Sequence, residues 1–188
     1  MIIRTIGLFL KSVLFMLHNM KNIEYRGWPV IYCAKNSTID IDKTGEKVRL
    51  YSHPFSNLLG VNQKVMLIAK GGQILISPGV CMSGCTIYST DSITIGKKTD
   101  IGSGCKIIDN DFHPLSYSER NPERLDKVKK RPIVIGEGCF IGANSIILKG
   151  TTLGRNVVVG AGSVVCGKFP DNVVIAGNPA KIIKENKE

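Results

Sequence analysis

The chain has 188 residues, a formal net charge of +10 and 6% aromatic residues. This length suits one domain with a sizeable buried core. The positive charge is spread along the chain and accompanies no nucleic-acid recognition motif, so we expect no nucleic-acid partner. An anionic small molecule or an acidic membrane surface accounts for the charge equally well.

None of the six cysteines belongs to a Cys-X-X-Cys pair, so we expect neither a zinc ribbon nor a thioredoxin-type site, and no metal. The first twenty residues contain an apolar stretch, but Lys11 interrupts it and no signal-peptide cleavage site follows. The stretch is also too short to span a bilayer. We therefore expect a cytoplasmic protein with reduced thiols.

Residues 1–22 predict an amphipathic helix. Its apolar stripe consists of Ile2, Ile6, Phe9, Leu10, Val13 and Leu17, with Leu14 at the edge and Leu8 and Phe15 on the opposite side. No acidic residue occurs before Glu24. Two interpretations stay open: the stripe packs on the prism or on a neighbouring subunit and covers an open end of the β-helix, or residues 1–20 lie in a membrane interface. Residues 23–64 predict an irregular or strand-like lead-in.

A six-residue repeat dominates residues 65–178. From Ile135 the chain divides into IGEGCF, IGANSI, ILKGTT, LGRNVV and VGAGSV. The first place of each hexad is aliphatic, the fifth is small or slim, and the second is glycine in four of these five hexads. The same pattern occurs upstream in ISPGVC, MSGCTI, IGKKTD and IGSGCK, with one slip of register at YSTDSIT.

This repeat predicts a parallel β-helix in which each hexad forms a short strand and a corner. Three hexads complete one turn of a triangular prism, and successive turns pair as parallel strands about 4.8 Å apart. The aliphatic place fills the axis, the small place fits the corner, and we expect glycine to supply the dihedral angles of the corner. Cys105 and Cys139 occupy the small place, so we interpret them as packing residues.

The repeat stops at residues 109–132, DNDFHPLSYSERNPERLDKVKKRP. Residues 114–131 predict a loop that protrudes from a corner, and long loops without a repeat are usually functional or disordered. His113 is the only histidine of the repeat region and lies at the base of this loop. A neutral imidazole suits a general base near pH 7. Asp109 and Asp111 are candidates for orienting its ring.

Residues 179–188 predict a short C-terminal helix. Asn178 would be its N-cap, and Pro179 would occupy the first helical position. Lys181 and Lys184 are three residues apart and would share one face of this helix.

These motifs resemble those of the hexapeptide-repeat acyltransferases. The hexads, DFHPL at the loop, PIVIGEGCFIGANSIILKGTTLG after it and VVIAGNPAKIIK near the end are similar to the maltose and galactoside O-acetyltransferases and to O-acetyltransferases of bacterial surface polysaccharides. The resemblance covers roughly residues 65–184. It implies a mainly β fold, a left-handed parallel β-helix, and a homotrimer that binds acetyl-CoA in three sites between neighbouring prisms.

The resemblance also implies roles for individual residues. His113 would remove the proton of an acceptor hydroxyl, whose oxygen attacks the thioester directly, and the backbone N–H of Ala143 would meet the oxyanion. Asp111 is a candidate partner of His113, and Ser83 or Met82 would lie on the acceptor side. The residues expected along the cofactor are Phe140, Gly142, Ala143, Gly160, Ala161, Cys166, Lys181 and Lys184.

Three hypotheses about function stay open. We favour an O-acetyltransferase acting on a sugar or a surface-polysaccharide precursor. The alternatives are an N-acetyltransferase of an amino-sugar nucleotide and a non-catalytic structural β-helix. A γ-class carbonic anhydrase is disfavoured, because its zinc needs three converging histidines and the repeats contain only His113.

Overall fold

The computed structural model describes residues 2–56, 59–60, 62–120 and 126–187, without the side chains of residues 2–6 and 8. Within these residues, helix α1 (Ile2–Asn19) precedes twenty strands, numbered along the chain. The strands form three sheets, which are the sides of a left-handed prism.

The first sheet contains β1 (Ile23–Arg26), β4 (Val48–Tyr51), β7 (Cys81–Ser83), β10 (Asp100–Ile101), β13 (Phe140–Ile141), β16 (Val158–Val159), β19 (Val173–Gly177) and β20 (Ala180–Glu185). The second contains β2 (Val30–Cys33), β5 (Met66–Ala69), β8 (Thr86–Ser89), β11 (Lys106–Ile108), β14 (Ile146–Leu148) and β17 (Val164–Val165). The third contains β3 (Thr38–Ile41), β6 (Gln73–Ile76), β9 (Ser92–Ile95), β12 (Ile133–Ile135), β15 (Thr152–Leu153) and β18 (Lys168–Phe169).

The burial of side chains confirms the hexad places. The aliphatic first place is buried at Ile135, Ile141, Ile147, Leu153 and Val159, and the small fifth place at Cys139, Ser145, Thr151, Val157 and Ser163. Cys105 is also buried, and its thiol donates to the carbonyl of Gly142 at 3.1 Å. The core is therefore a continuous column along the prism axis, and Cys105 and Cys139 are part of it.

Glycine is required at the second place of the hexad for a reason that differs from the expected dihedral angles. A Cβ atom on Gly142 would lie 2.6 Å from the backbone nitrogen of Ala161, in the next turn of the prism. Glycine is needed there because stacked corners approach closely. The left-handed dihedral angle falls two residues later, where Asn144 has a φ of 60°.

The prism begins earlier than the repeat predicts. Strands β1–β4 of residues 23–64 already belong to its three sheets, and β1 pairs with β4 in register Ile23↔Val48. The turns formed by these residues are longer and irregular, so a strict period of six does not detect them.

The prediction of a C-terminal helix was wrong. Ala180–Glu185 forms strand β20, which pairs antiparallel with β19 after a reversal at Gly177 and a cis bond before Pro179. The open edge of β19 offers backbone partners along the whole segment, and this pairing outweighs local helix propensity. Tertiary context therefore decides the structure of residues 180–185.

Helix α1 packs on β2, the last strand at one end of the second sheet. The Ser12 hydroxyl donates to the carbonyl of Ile31 at 3.1 Å and accepts its N–H at 3.0 Å. Ser12 and Asn19 are buried and Phe15 is partly buried against the core, whereas Leu10 is exposed. The helix therefore covers one end of the prism, but the interpretation that its apolar stripe packs on the prism is wrong for Phe9, Leu10 and Leu17, which are exposed.

The reason for this orientation is the unpaired edge of β2, whose peptide groups need a polar partner. Residues 121–125 of the predicted loop, and the side chains of Ile2, Ile6 and Leu8 of the predicted helix, lie outside the described residues.

Candidate active site

The loop emerges where the chain passes from the second sheet to the third, which we call corner 2–3. The Arg131 N–H donates to the carbonyl of Asp109 at 2.9 Å, and the Asp111 N–H donates to the carbonyl of Lys129 at 3.1 Å. An antiparallel bridge joins Asn110 and Lys130 between these bonds. The two stems of the loop are thus bonded to each other, and the predicted insertion at a corner is present.

Asp109 fixes the first stem to the neighbouring turn of the prism. Its side chain is fully buried, and its carboxylate accepts the backbone N–H groups of Thr90 and Asp91, each at 2.8 Å. The Ser89 hydroxyl donates to the same carboxylate at 2.7 Å. Asp109 therefore anchors the loop, and its carboxylate is occupied by these donors rather than by His113.

His113 follows a residue with an unusual backbone. Phe112 has a φ of 60°, and its N–H donates to the Asn110 side-chain oxygen at 2.8 Å. The Phe112 ring packs on the Tyr88 ring with centroids 4.8 Å apart. A positive φ at a bulky residue needs such support, and it is often found at functional sites. This turn places His113 at the surface, at the base of the loop.

A groove of about 530 Å³ lies in front of His113. Its lining includes the rings of Tyr88 and Phe112 and the basic residues Lys70 and Lys130. Burial, reinforced by the Asp109 charge, raises the pKa of Tyr88, so its phenol stays protonated and can donate. Aromatic rings, hydroxyl donors and positive charge are suited to a sugar or another polar acceptor.

Asp111 lies beside His113 in the chain, but its carboxylate pairs with the Lys149 ammonium. The carbonyl of Asp111 accepts the His113 backbone N–H at 2.7 Å. Its second carboxylate oxygen is buried and has no hydrogen-bond partner among the described residues. Asp111 thus retains one free acceptor next to His113, although no contact joins it to the imidazole.

A second group of predicted residues lies on the outer face of the first sheet. The register aligns Asp100, Phe140, Val158 and Val174 in one row, and Lys184 continues that row. Lys184 is three strands from Phe140, about 14 Å at the usual strand spacing. From Phe140 to Val174 this row is apolar, and it ends in the ammonium group of Lys184, an arrangement that fits a pantetheine arm and a phosphate.

Lys181 and Lys184 share a face for a reason that differs from the predicted one. Lys181 pairs with Ala176 and Lys184 pairs with Val174, and a bulge between these pairs adds Ile183. Directly paired residues lie on the same face, and residues 174 and 176 alternate with the buried Ile175. Both lysines therefore belong to the outer face, on a bulged strand instead of a helix.

Ala143 lies where the chain passes from the first sheet to the second, which we call corner 1–2. Its carbonyl accepts the Gly162 N–H at 2.8 Å, whereas no acceptor for its own N–H is present in the described part of the chain. Gly142, Gly160 and Ala161 occupy the same corner in this turn and the next. A free N–H at this corner can stabilise an oxyanion.

The two residues predicted on the acceptor side, Met82 and Ser83, lie in different environments. Met82 is fully buried in the prism core, so the prediction that it contacts a substrate was wrong; the inward place of its hexad explains the burial. Ser83 and Phe140 line one groove of about 360 Å³ on the first sheet, with strand β10 between them. Cys166 was predicted along the cofactor instead. It is exposed at corner 2–3, whereas Gly142, Ala143, Gly160 and Ala161 lie at corner 1–2.

One chain does not bring the two groups together. His113 lies at corner 2–3, Ala143 lies at corner 1–2, and strand β14 of the second sheet separates them. The sequence predicted both groups, but it did not show that they occupy different corners. It also missed Asn110, Tyr88 and Lys149, which carry no motif and are recognisable only from the stacking of the turns.

Comparison with known proteins agrees with this architecture. The family model described as "Hexapeptide repeat of succinyl-transferase" matches residues 132–166. The solved structure of the polySia specific acetyltransferase NeuO superposes with a TM-score of 0.67 and 25% identity, over 87% of this chain and 68% of that one.

Two relatives differ in the chemistry of their acceptors. The "Putative lipopolysaccharide biosynthesis O-acetyl transferase WbbJ" of Escherichia coli K12 is 41% identical over 104 residues, 53% of each chain. The 2,3,4,5-tetrahydropyridine-2,6-dicarboxylate N-acetyltransferase of Clostridium perfringens SM101 is 48% identical over 64 residues, 34% of this chain and 27% of that protein. The chain thus spans about half of the first relative's length. The repeat, the prism and these similarities agree in showing that the chain resembles the hexapeptide-repeat acyltransferases.

Proposed function

We propose that the protein transfers an acetyl group from acetyl-CoA to a hydroxyl of a sugar or of a surface-polysaccharide precursor. The observation that carries the proposal is the position of His113, held by a buried anchor at the mouth of an aromatic and basic groove. The similarity to WbbJ and NeuO favours an acetylated oxygen on a polysaccharide.

In the proposed reaction, His113 accepts the proton of the acceptor hydroxyl while the oxygen attacks the thioester carbon of acetyl-CoA. The Ala143 N–H stabilises the oxyanion, and the C–S bond then breaks, with CoA leaving as the thiol after it takes up the proton. The free oxygen of Asp111 is the acceptor available to orient the His113 ring. Phe140, Gly142, Gly160, Ala161, Lys181 and Lys184 are the proposed contacts of the donor, and Ser83 is kept on the acceptor side.

The active unit of this proposal is a homotrimer. His113 and Ala143 occupy different corners of one prism, so a site containing both needs two chains. A closed ring of three prisms would pair corner 2–3 of each chain with corner 1–2 of the next.

The test is acetyl transfer from acetyl-CoA to a panel of acceptors with free hydroxyls or free amines. We expect transfer to hydroxyl acceptors, and a loss of about 10²–10⁴-fold in kcat for His113→Ala. His18→Ala is the matched control, because His18 lies on α1 and contacts Lys43. Activity of His113→Ala within a few-fold of the wild type contradicts the proposed base.

The N-acetyltransferase remains the second candidate because of the identity to the Clostridium perfringens enzyme. Transfer to amine acceptors alone would favour it over O-acetylation. Absence of transfer to any acceptor and absence of CoA binding would leave a structural β-helix.

A further inference from the structure

Helix α1 exposes most of the described part of its apolar stripe. The side chains directed at the prism are Ser12, Phe15 and Asn19. At 3.6 residues per turn, Leu10, Leu14 and Leu17 lie on the opposite side of the helix. Each of these leucines is more than half exposed, and so are Phe9 and Met20.

Trp28 enlarges this apolar area. Its ring lies 6.0 Å from that of Phe9, and 55% of the residue is exposed. We call Phe9, Leu10, Leu14, Leu17, Met20 and Trp28 together the α1 surface. Six large side chains of this exposure present on the order of several hundred Å² of apolar area, the size that marks a binding surface.

The charge of the first residues favours one kind of occupant for the α1 surface. Residues 1–23 contain Arg4, Lys11 and Lys21 and no acidic residue. A second copy of the helix on this surface would bring like charges together, whereas anionic lipid headgroups would neutralise them. The described part of the chain contains no candidate membrane-spanning helix.

We propose that the α1 surface binds the interface of a membrane that contains anionic lipids. The helix lies in the plane of the membrane, with Leu10, Leu14 and Leu17 at the boundary of headgroups and acyl chains. Trp28 lies at the headgroup level, where the amphipathic indole is favoured. The prism stays on the aqueous side, because Ser12 ties the opposite face of the helix to β2. This proposal does not rest on the acyl-transfer reaction.

The test uses the full chain and vesicles of phosphatidylcholine mixed with an equal amount of phosphatidylglycerol. We expect the protein to sediment with these vesicles, and to bind more weakly at high salt or to phosphatidylcholine alone. Trp28 is the only tryptophan of the chain, so its fluorescence reports the α1 surface directly. Its emission should shift to the blue when vesicles are added.

Two double variants provide a matched comparison. Leu14→Gln/Leu17→Gln should weaken vesicle binding about tenfold or more, since affinity scales with the apolar area buried. Ile182→Gln/Ile183→Gln changes two equally exposed residues on β20, at the other end of the prism, and should bind like the wild type.

Absence of vesicle binding, or an unchanged Trp28 emission, overturns the proposal. If the leucine variant instead lowers the mass in light scattering while the wild type ignores vesicles, the α1 surface is a contact between copies. Acetyl transfer to a soluble acceptor is measured in the leucine variant as well. Loss of vesicle binding with transfer unchanged separates membrane contact from the proposed reaction.

Discussion

Asp109 and Thr90 are joined across two turns of the prism: the Asp109 Oδ1 accepts the Thr90 N–H at 2.8 Å and lies 3.3 Å from its hydroxyl. Because the carboxylate is buried, its loss leaves N–H groups without partners. Asp109→Ala should lower the free energy of unfolding by about 1–3 kcal/mol. It should also reduce acetyl transfer, because the stem that carries His113 loses its anchor.

Urea unfolding and initial rates check both effects. Asp40→Asn, an exposed carboxylate on β3, is the control and should change neither. An Asp109 variant with wild-type stability would show that the bonds to Thr90 and Asp91 contribute nothing to the fold.

The separation of His113 from Phe140 predicts complementation between inactive chains. His113→Ala removes the proposed base, and Phe140→Glu places a charge on the proposed donor wall, where the half-exposed side chain leaves the fold intact. If each site uses one corner from each of two chains, random trimers of the two variants regain about a quarter of the wild-type sites.

Activity of the co-refolded mixture, compared with either variant alone, measures this recovery. A mass near three times 20.5 kDa in light scattering is the accompanying expectation. No recovery in mixtures whose trimers form normally would place the whole site within one chain.

The shared face of Lys181 and Lys184 predicts a change in donor binding. Replacing both with glutamine should raise the KM for acetyl-CoA more than it lowers kcat, because two ammonium groups near the phosphates are lost. The dependence of KM on salt should also weaken. Lys168→Gln, on β18 of the third sheet, is the control. An unchanged KM in the double variant rejects the assignment.

Three buried thiols predict a loss of stability at alkaline pH. Burial raises the pKa of Cys85, Cys105 and Cys139 above the value in an unfolded chain. Below the unfolded pKa of about 8.5, the three thiols contribute fully to the free energy of unfolding. This contribution is lost as the pH rises towards the folded pKa, because the thiols of the unfolded chain ionise first. The free energy of unfolding should therefore fall above about pH 8.5.

Cys85→Ala isolates this effect. The variant should be less stable at neutral pH because of the cavity, but its stability should fall less steeply between about pH 8.5 and 10. Equal slopes for the variant and the wild type would assign the alkaline loss to other groups. In the folded protein, thiol reagents should modify the exposed Cys166 and spare Cys85.

The repeat predicted the prism because residues such as Ile141 and Ser145 are selected directly by the shape of the core. The first turns were not predicted because their buried residues do not recur every six positions, although Ile31 and Leu50 are as buried as residues of the repeat. The segment around Lys181 has local helix signals that pairing with β19 overrides. The orientation of α1 depends on Ser12 meeting the edge of β2, a partner that no local pattern contains.

The position of His113 was predictable, since the interruption of the repeat marks it; its role as the base stays a proposal. Asn110 and Tyr88 act through contacts between turns, so their part emerges only when the register aligns residue 88 with residue 108. The distribution of the site over two corners also follows from the order of the sheets and not from spacing.

The bonded stems of the loop have a consequence for how the protein can diversify. Asp109 and Arg131 close the loop before the chain re-enters the prism, so the ladder of stacked turns does not depend on what lies between Pro114 and Val128. That segment can therefore vary in sequence while the stems that hold it stay the same. If the proposed function holds, we expect that grafting it between related chains changes the acceptor, while the prism and the position of His113 are kept.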